Sequence, residues 1–195
     1  MRPFQQLNGL LAAHSTTILF VTYVFLFTGC AMLQSRPTPW HLPKDGSGLG
    51  AGRWLQSLTL EHKEKSIGLL AVIESDGKNL TLVGLSPMGQ RLMRITWSEG
   101  KVQQETDPHM PVAIDGEAIL RDVVLVNWPE EILWPLFAKT EWKVTFDGPK
   151  RELYWGHRLW LSVKPDSFDG AKSILVDHHA EGYKVHVSLL EHESP

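Results

Sequence analysis

The chain contains one cysteine, Cys30, and its setting suggests a specific chemistry for its thiol. A run without charge, residues 15–28, leads directly into Gly29 and Cys30. Arg2 is the only Lys or Arg before this run, and no acidic residue occurs in it or before it. A positively charged start, an apolar stretch and small residues at a cleavage point are the parts of a secretory signal. Residues 1–29 are therefore predicted to be a signal peptide, with Cys30 directly behind the cleavage point.

The four residues Phe27-Thr28-Gly29-Cys30 resemble a bacterial lipobox, in which a small residue precedes a cysteine that is lipidated and becomes the mature N-terminus. Phe27 departs from the usual pattern, which has leucine there. The resemblance implies that Cys30 carries a lipid anchor. Two alternatives stay open: an uncleaved anchor helix, or an ordinary signal peptide with an incidental cysteine. The run is shorter than the ~20 apolar residues that a membrane span needs, which disfavours the anchor helix.

Histidine is the other residue type that could do chemistry, with nine copies in the chain. His178 and His179 are adjacent, and neighbouring residues of a strand point to opposite faces, so the pair cannot easily bind one ion. The sequence has no His-Glu-x-x-His, no His-x-His and no second cysteine, the spacings typical of zinc sites. We therefore predict no metal and no cofactor.

Motifs of nucleophilic catalysis and phosphate binding are also missing. No Gly-x-Ser-x-Gly sequence occurs, and the glycine-rich segment 46–52 does not follow a predicted strand. The formal charge of −3, with scattered Lys and Arg, gives no surface suited to phosphates. We predict that the protein is not an enzyme and does not bind nucleic acid.

The segment that follows Cys30 is rich in Pro and Gly and is predicted to be a flexible tether over residues 30–52. Residues 53–195 then have the length of a single domain. Segment 53–65 is compatible with a short helix or a first strand.

Alternation with period two indicates an antiparallel sheet with one buried side. Runs 67–74 and 80–85 are separated by the turn residues 75–79. Alternating strands are also predicted at 91–97, 141–147, 158–164 and 183–189. Between them the spacing becomes helical over 115–128, with Asp115 as N-cap, and a second helix is predicted at 129–134, where Pro129 and two acids begin it.

The turn Ser86-Pro87-Met88-Gly89 joins two of the predicted strands. Proline suits its second position, and glycine supplies flexibility after it. Met88 is then placed at the tip of a hairpin, where a polar side chain would be expected. It either folds back onto the sheet or acts as a soft apolar probe that enters a membrane or the groove of a partner.

With the lipobox and the tether, this hairpin and the helix after it resemble LolB, an outer-membrane lipoprotein that receives lipoproteins from the periplasmic carrier LolA. In that family a protruding leucine at the hairpin tip serves cargo delivery, and Met88 has the matching position. The segments Gly84–Leu92, Asn127-Trp128-Pro129 and His179–Lys184 resemble more closely an uncharacterised family of small lipoproteins associated with aryl polyene gene clusters.

The resemblance implies an α+β fold that is mainly β: a curved, incompletely closed antiparallel β-barrel covered by short helices, with acyl chains bound in an apolar cavity. The expected roles are lipidation for Cys30, membrane delivery for Pro87, Met88 and Gly89, and cavity lining for Trp97, Trp142 and Trp155.

The expected function is that of a lipoprotein on the periplasmic face of the outer membrane, which accepts or delivers lipid or lipoprotein cargo with a LolA-like carrier. Ala31 lacks the Asp that retains lipoproteins at the inner membrane of enteric bacteria. A scaffold lipoprotein of an envelope export complex, without bound lipid, is the alternative.

Overall fold

The computed structural model describes residues 37–108 and 115–194, which form ten strands, two α-helices and one short 3-10 helix. The 3-10 helix Ser47–Leu49 comes first, before all the strands. The strands are β1 (Ala51–His62), β2 (Lys65–Asp76), β3 (Leu80–Leu85), β4 (Arg91–Ser98), β5 (Lys101–Thr106), β6 (Trp142–Asp147), β7 (Lys150–Trp155), β8 (Arg158–Phe168), β9 (Ala171–His178) and β10 (Tyr183–Glu193). The helices α1 (Gly116–Asn127) and α2 (Glu130–Phe137) lie between β5 and β6 in the chain. The predicted mainly β class with inserted helices is confirmed.

All ten strands belong to one antiparallel sheet, in the order β5-β4-β3-β2-β1-β10-β9-β8-β7-β6. The first and last strands therefore pair at its centre. The strands β5 and β6 are consecutive in the chain but lie at opposite edges, so the sheet is not closed. The chain between them contains both helices and has to connect the two edges.

The buried face of each strand follows the alternation in the sequence. On β4 the side chains of Met93, Ile95 and Trp97 are buried, and on β6 those of Trp142 and Val144 are buried. The alternating strands predicted at 91–97 and 141–147 are confirmed. The ambiguous first segment is a strand, because β1 pairs along its whole length with β2. The sequence pattern does not predict strands β5, β7 and β9, because polar residues interrupt their alternation.

Helix α1 begins where the sequence predicts. The carboxylate of Asp115 accepts a hydrogen bond from the backbone N–H of Glu117 at 3.0 Å, so Asp115 is the N-cap. After Trp128 the backbone is extended, and α2 starts behind Pro129, whose carbonyl accepts from the N–H of Leu133 at 3.0 Å. Both predicted helices are confirmed.

The sheet curves around α1, since strands from both of its halves reach this helix. The side chain of Gln104 on β5 accepts from the N–H of Gly116 at 2.7 Å, and Arg151 on β7 donates to the carbonyl of Leu125. The main core lies on the same side, where the rings of Trp97 and Trp128 stack with centroids 6.3 Å apart. Leu120, Val124, Leu133 and Val144 are buried in this core.

The flexible tether predicted for residues 30–52 is wrong for its last part. The side chain of Trp40 is only 5% exposed, and its ring packs on that of Phe137 with centroids 5.0 Å apart. Its carbonyl accepts a hydrogen bond from Arg121 at 2.9 Å. A buried aromatic side chain fixes this segment, and residues 39–195 form one compact unit. Within the described residues, no helix has both the length and the apolar character needed to cross a membrane.

Candidate functional site

Aliphatic side chains of the three central strands form one wall of a cavity. Their pairing fixes this arrangement, because residues directly opposite in neighbouring strands point to the same face. Leu58 of β1 lies opposite Val187 of β10 and Leu69 of β2. Two residues further along β1, on the same face, Leu60 lies opposite Val185 and Ile67. Two cross-strand rows of branched side chains therefore cover this part of the concave face.

One face of α1 forms the opposite wall. It contributes Ala118, Ile119, Asp122, Val123 and Val126, which recur at helical spacing. The other face of this helix contributes buried Leu120 and Val124 to the core. Helix α1 therefore divides the concave side of the sheet into a part filled by side chains and a part that is left open.

The cavity between these two walls has a volume of about 710 Å³. This volume lies in the range of small-molecule sites, roughly 300–1,000 Å³. Most of the described side chains that line it are apolar: Leu58, Leu60, Ile67, Leu69, Ala71, Ile73, Leu82, Met93, Ala118, Ile119, Val123, Val126, Val176, Val185 and Val187. Apolar walls of this extent fit a hydrocarbon chain better than a polar metabolite.

The cavity opens at the end of the sheet that carries the β1–β2 and β9–β10 turns. His62, Lys65 and Glu181 line it there, and all three are exposed. At the other end the lining residues Ile73 and Leu82 are buried. The site is therefore a pocket with an apolar inner end and a polar rim.

A polar cluster lies at this rim. His178 of β9 is 6% exposed, and its Nε2 atom is 3.0 Å from Oδ2 of Asp122 on α1. Its Nδ1 atom is 3.7 Å from Oε2 of Glu181. The ring of Tyr183 stacks on His178 with centroids 4.0 Å apart. Burial raises the pKa of the Tyr183 phenol, and the carboxylates of Asp122 and Glu181 raise it further.

The predicted delivery loop is a tight turn beside this opening. The N–H of Gly89 donates to the carbonyl of Ser86 at 2.8 Å, and Gly89 has a φ of 80°. Met88 does not have a positive φ, so the turn is of type I followed by a left-handed glycine. This geometry leaves the Met88 side chain 97% exposed. It does not fold back onto the sheet.

The position of the turn relative to the cavity follows from Gly68 of β2. A Cβ atom placed on Gly68 would be 4.0 Å from Cγ of Pro87. The neighbours of Gly68 in the chain, Ile67 and Leu69, both line the cavity. Because successive residues of a strand point to opposite faces, the turn that carries the exposed methionine packs on the outer side of this wall, near the open end of the cavity.

The tryptophans proposed as cavity lining lie elsewhere. Trp97 is 1% exposed and stacks on Trp128 in the core. Trp142 packs edge-on against Trp160, with ring centroids 5.5 Å apart. Trp155 donates through Nε1 to Glu141 at 3.1 Å. None of the three is among the described residues that line this cavity, so for this cavity the prediction is wrong.

The two adjacent histidines do point to opposite faces. His178 reaches the rim of the cavity, whereas Nε2 of His179 is 2.9 Å from Oγ of Ser162 on the outer face. Asp177 completes a Ser–His–Asp line there, but its Oδ1 atom is 3.6 Å from Nδ1 of His179, too far for a hydrogen bond. Ser162 is also buried, so its hydroxyl is not presented to a substrate. This line resembles a catalytic triad only in residue types.

Cys30, the predicted lipidation site, lies outside the described residues. The aliphatic residues of β1, β2 and β10 were not proposed for the cavity, although alternation already placed those of β10 on one face. The missing information was the position of α1, which covers one part of that face and leaves another part free.

The fold and the cavity define a small protein in which one open antiparallel sheet and one helix enclose an apolar cavity. A family model described as protein of unknown function, DUF3261, matches residues 53–191. The chain belongs to this family. No curated protein matches the chain.

Proposed function

We propose that the protein binds acyl chains in the cavity between α1 and strands β1, β2 and β10, and that it accepts or delivers lipid or lipoprotein cargo at a membrane. The observation that carries this proposal is the apolar cavity of about 710 Å³, which opens beside the turn of Met88. A hydrocarbon site and an exposed apolar side chain at the same end suit transfer between a bilayer and the protein.

Burial of an acyl chain is sufficient to drive this binding. Each methylene group removed from water contributes about 0.8 kcal/mol, so about ten of them give roughly 8 kcal/mol before the costs of ordering. The walls are aliphatic and provide few directional contacts. Chain length and saturation therefore affect affinity gradually, and the polar rim has to provide any selection among head groups.

Delivery requires the protein to stay close to a bilayer. In this proposal Cys30 carries the lipid anchor on the periplasmic face of the outer membrane, and the residues between Cys30 and Trp40 act as the tether. The resemblance to LolB gives Met88 the role of the side chain that enters the membrane. It also makes a LolA-like carrier the expected donor of the cargo.

A pair of tryptophan substitutions tests the cavity. Ala118 lies on the cavity face of α1, and Ala138 is exposed at the end of α2. Ala118→Trp should fill the cavity and lower the amount of acylated lipid that co-purifies with the protein by at least about tenfold, as measured by mass spectrometry of extracted lipids. Ala138→Trp adds the same side chain outside the cavity and should leave that amount unchanged.

If the unsubstituted protein retains no acylated ligand and takes none up from lipid vesicles, the proposed function is wrong. A scaffold lipoprotein without bound lipid would then be the better description. Equal loss of ligand in both tryptophan variants would also contradict the proposal, because ligand binding would then not depend on the cavity.

A further inference from the structure

We infer that the cavity selects acyl chains with an uncharged head group, such as ester- or amide-linked chains, over free fatty acids. This inference rests on the proposed function, since it specifies the ligand of the same cavity. A chain that fills the aliphatic inner end would leave its head group at the open end, among the polar residues of the rim.

The rim is unfavourable for an anionic head group. Three carboxylates line the cavity, from Asp115, Asp122 and Glu181, against a single ammonium group, that of Lys65. The imidazole of His62 also lines the cavity. Lys65 and Glu181 are both exposed, so water screens both of their charges, whereas the side chain of Asp122 is only 28% exposed and is screened less.

The carboxylate nearest to the buried polar cluster is held in place. Asp122 is fixed against Nε2 of His178 at 3.0 Å, and the second ring nitrogen of His178 faces Glu181 at 3.7 Å. Asp122 can therefore not move far from an incoming head group without losing its contact with His178, whereas 3.7 Å is too long for a hydrogen bond that would hold Glu181. The raised pKa of the Tyr183 phenol has the same origin, because burial and these two carboxylates oppose a further negative charge there.

An uncharged head group meets compatible partners in the same place. A hydroxyl or amide N–H can donate to a carboxylate oxygen of Asp122 or Glu181. A free fatty-acid carboxylate has no proton to donate and is repelled by Asp122 and Glu181. At the effective dielectric constant of a protein surface, such repulsion over several ångströms weakens binding by about tenfold or more.

Two photoactivatable probes with the same dodecanoyl chain separate these cases: the free fatty acid and the monoacylglycerol, each with a diazirine in the chain. The full chain is kept in a bile-salt detergent, which has no acyl chain, at about pH 8, where the fatty acid is ionised. Mass spectrometry of peptides then measures the concentration of each probe that gives half-maximal labelling of residues lining the cavity. The monoacylglycerol should reach this point at a concentration at least about tenfold lower.

Three charge variants refine the test. Asp122→Asn and Glu181→Gln should each reduce the preference for the monoacylglycerol by about threefold or more, and Lys65→Gln should increase it. Glu181 is exposed, so its variant remains informative if Asp122→Asn fails to fold.

The outcomes separate the two proposals. Equal labelling by both probes, or tighter labelling by the fatty acid, would overturn the inference on head groups and leave acyl binding in place. A preference that the carboxylate variants do not change would overturn it too. Failure of both probes to label the cavity would overturn the proposed function, and the inference with it.

Discussion

Asp122 on α1 and His178 on β9 form a polar contact across the edge of the cavity, with 3.0 Å between Oδ2 and Nε2. The side chain of His178 is buried, and the sheet residues near it that line the cavity are aliphatic. The contact therefore ties the helix to the sheet at the rim and sets the distance between the two walls of the cavity.

Asp122→Ala should lower the free energy of unfolding by about 1–3 kcal/mol, because His178 would remain buried without its partner on the helix. Urea denaturation of residues 39–195, the compact unit, measures this change. Glu117→Ala is the control on the same helix, since the Glu117 side chain is 55% exposed and its i,i+4 pair with Arg121 should contribute less than about 0.5 kcal/mol. Equal losses in the two variants would show that the contact with His178 has no special role.

Trp40 tests where the domain begins. It precedes the matched family region, but its ring is buried against Phe137. Trp40→Ala should therefore lower the free energy of unfolding by about 3–5 kcal/mol, as expected for a large core side chain. Trp134 is 55% exposed, and Trp134→Ala should lower it by less than about 1 kcal/mol. A change in Trp40→Ala as small as that of the control would mean that residues 40–50, before β1, belong to the tether as the sequence predicts.

The sequence predicts which side chains of a strand share a face, but it does not predict whether that face packs in the core or lines the cavity. Alternation puts Val185 and Val187 on the same side of β10, and the structure confirms it, but both halves of the sheet present apolar residues to that side. Helix α1 fills one half with Leu120 and Val124 and leaves the other open, and its placement depends on contacts far apart in the chain, such as Arg121 with Trp40.

The same limit explains the incorrect prediction for the tryptophans. Composition cannot distinguish a large side chain that lines a cavity from one that fills a core, and Trp97 fills the core. By contrast, the Met88 turn is local. A proline at its second position and a glycine with positive φ at its end determine the turn, so the position of Met88 at the hairpin tip could be predicted from a few residues. The sequence left open whether its side chain folds back onto the sheet, and the structure shows that it is exposed.

Met88→Asp should abolish delivery without affecting the fold. The side chain is almost fully exposed, so the free energy of unfolding should change by less than about 0.5 kcal/mol. An aspartate at the tip would have to be desolvated on entering a bilayer, which costs several kcal/mol. Transfer of a fluorescent acyl lipid to acceptor vesicles should therefore fall by at least about tenfold.

Gln90→Asp is the matched control for Met88→Asp, because it puts the same charge on an exposed position of the same loop and keeps the methionine. It should change the transfer rate by less than about twofold. Met88→Leu should preserve transfer, since the tip remains apolar. An equal effect of both aspartate variants would assign the loss to charge near the turn rather than to insertion of Met88.

Tyr183 links the polar rim of the cavity to stability at alkaline pH. Its pKa is raised in the folded protein from the ordinary value of 10.0, first by burial and then by Asp122 and Glu181. A raised folded-state pKa contributes stability that is complete below about pH 10 and is lost as the pH rises above it, because the unfolded chain releases the proton first. The free energy of unfolding should fall by up to about 1.4 kcal/mol per pH unit from this group alone.

Tyr183→Phe removes this dependence, so above about pH 10 its free energy of unfolding should fall less steeply than that of the unsubstituted domain. Absorbance of phenolate at alkaline pH provides an independent measurement. In folded residues 39–195, Tyr183 should keep its proton near pH 11, so the variant should show the same increase in phenolate absorbance as the unsubstituted domain. A smaller increase in the variant would mean that Tyr183 ionises like a solvent-exposed tyrosine, and that the rim does not oppose negative charge.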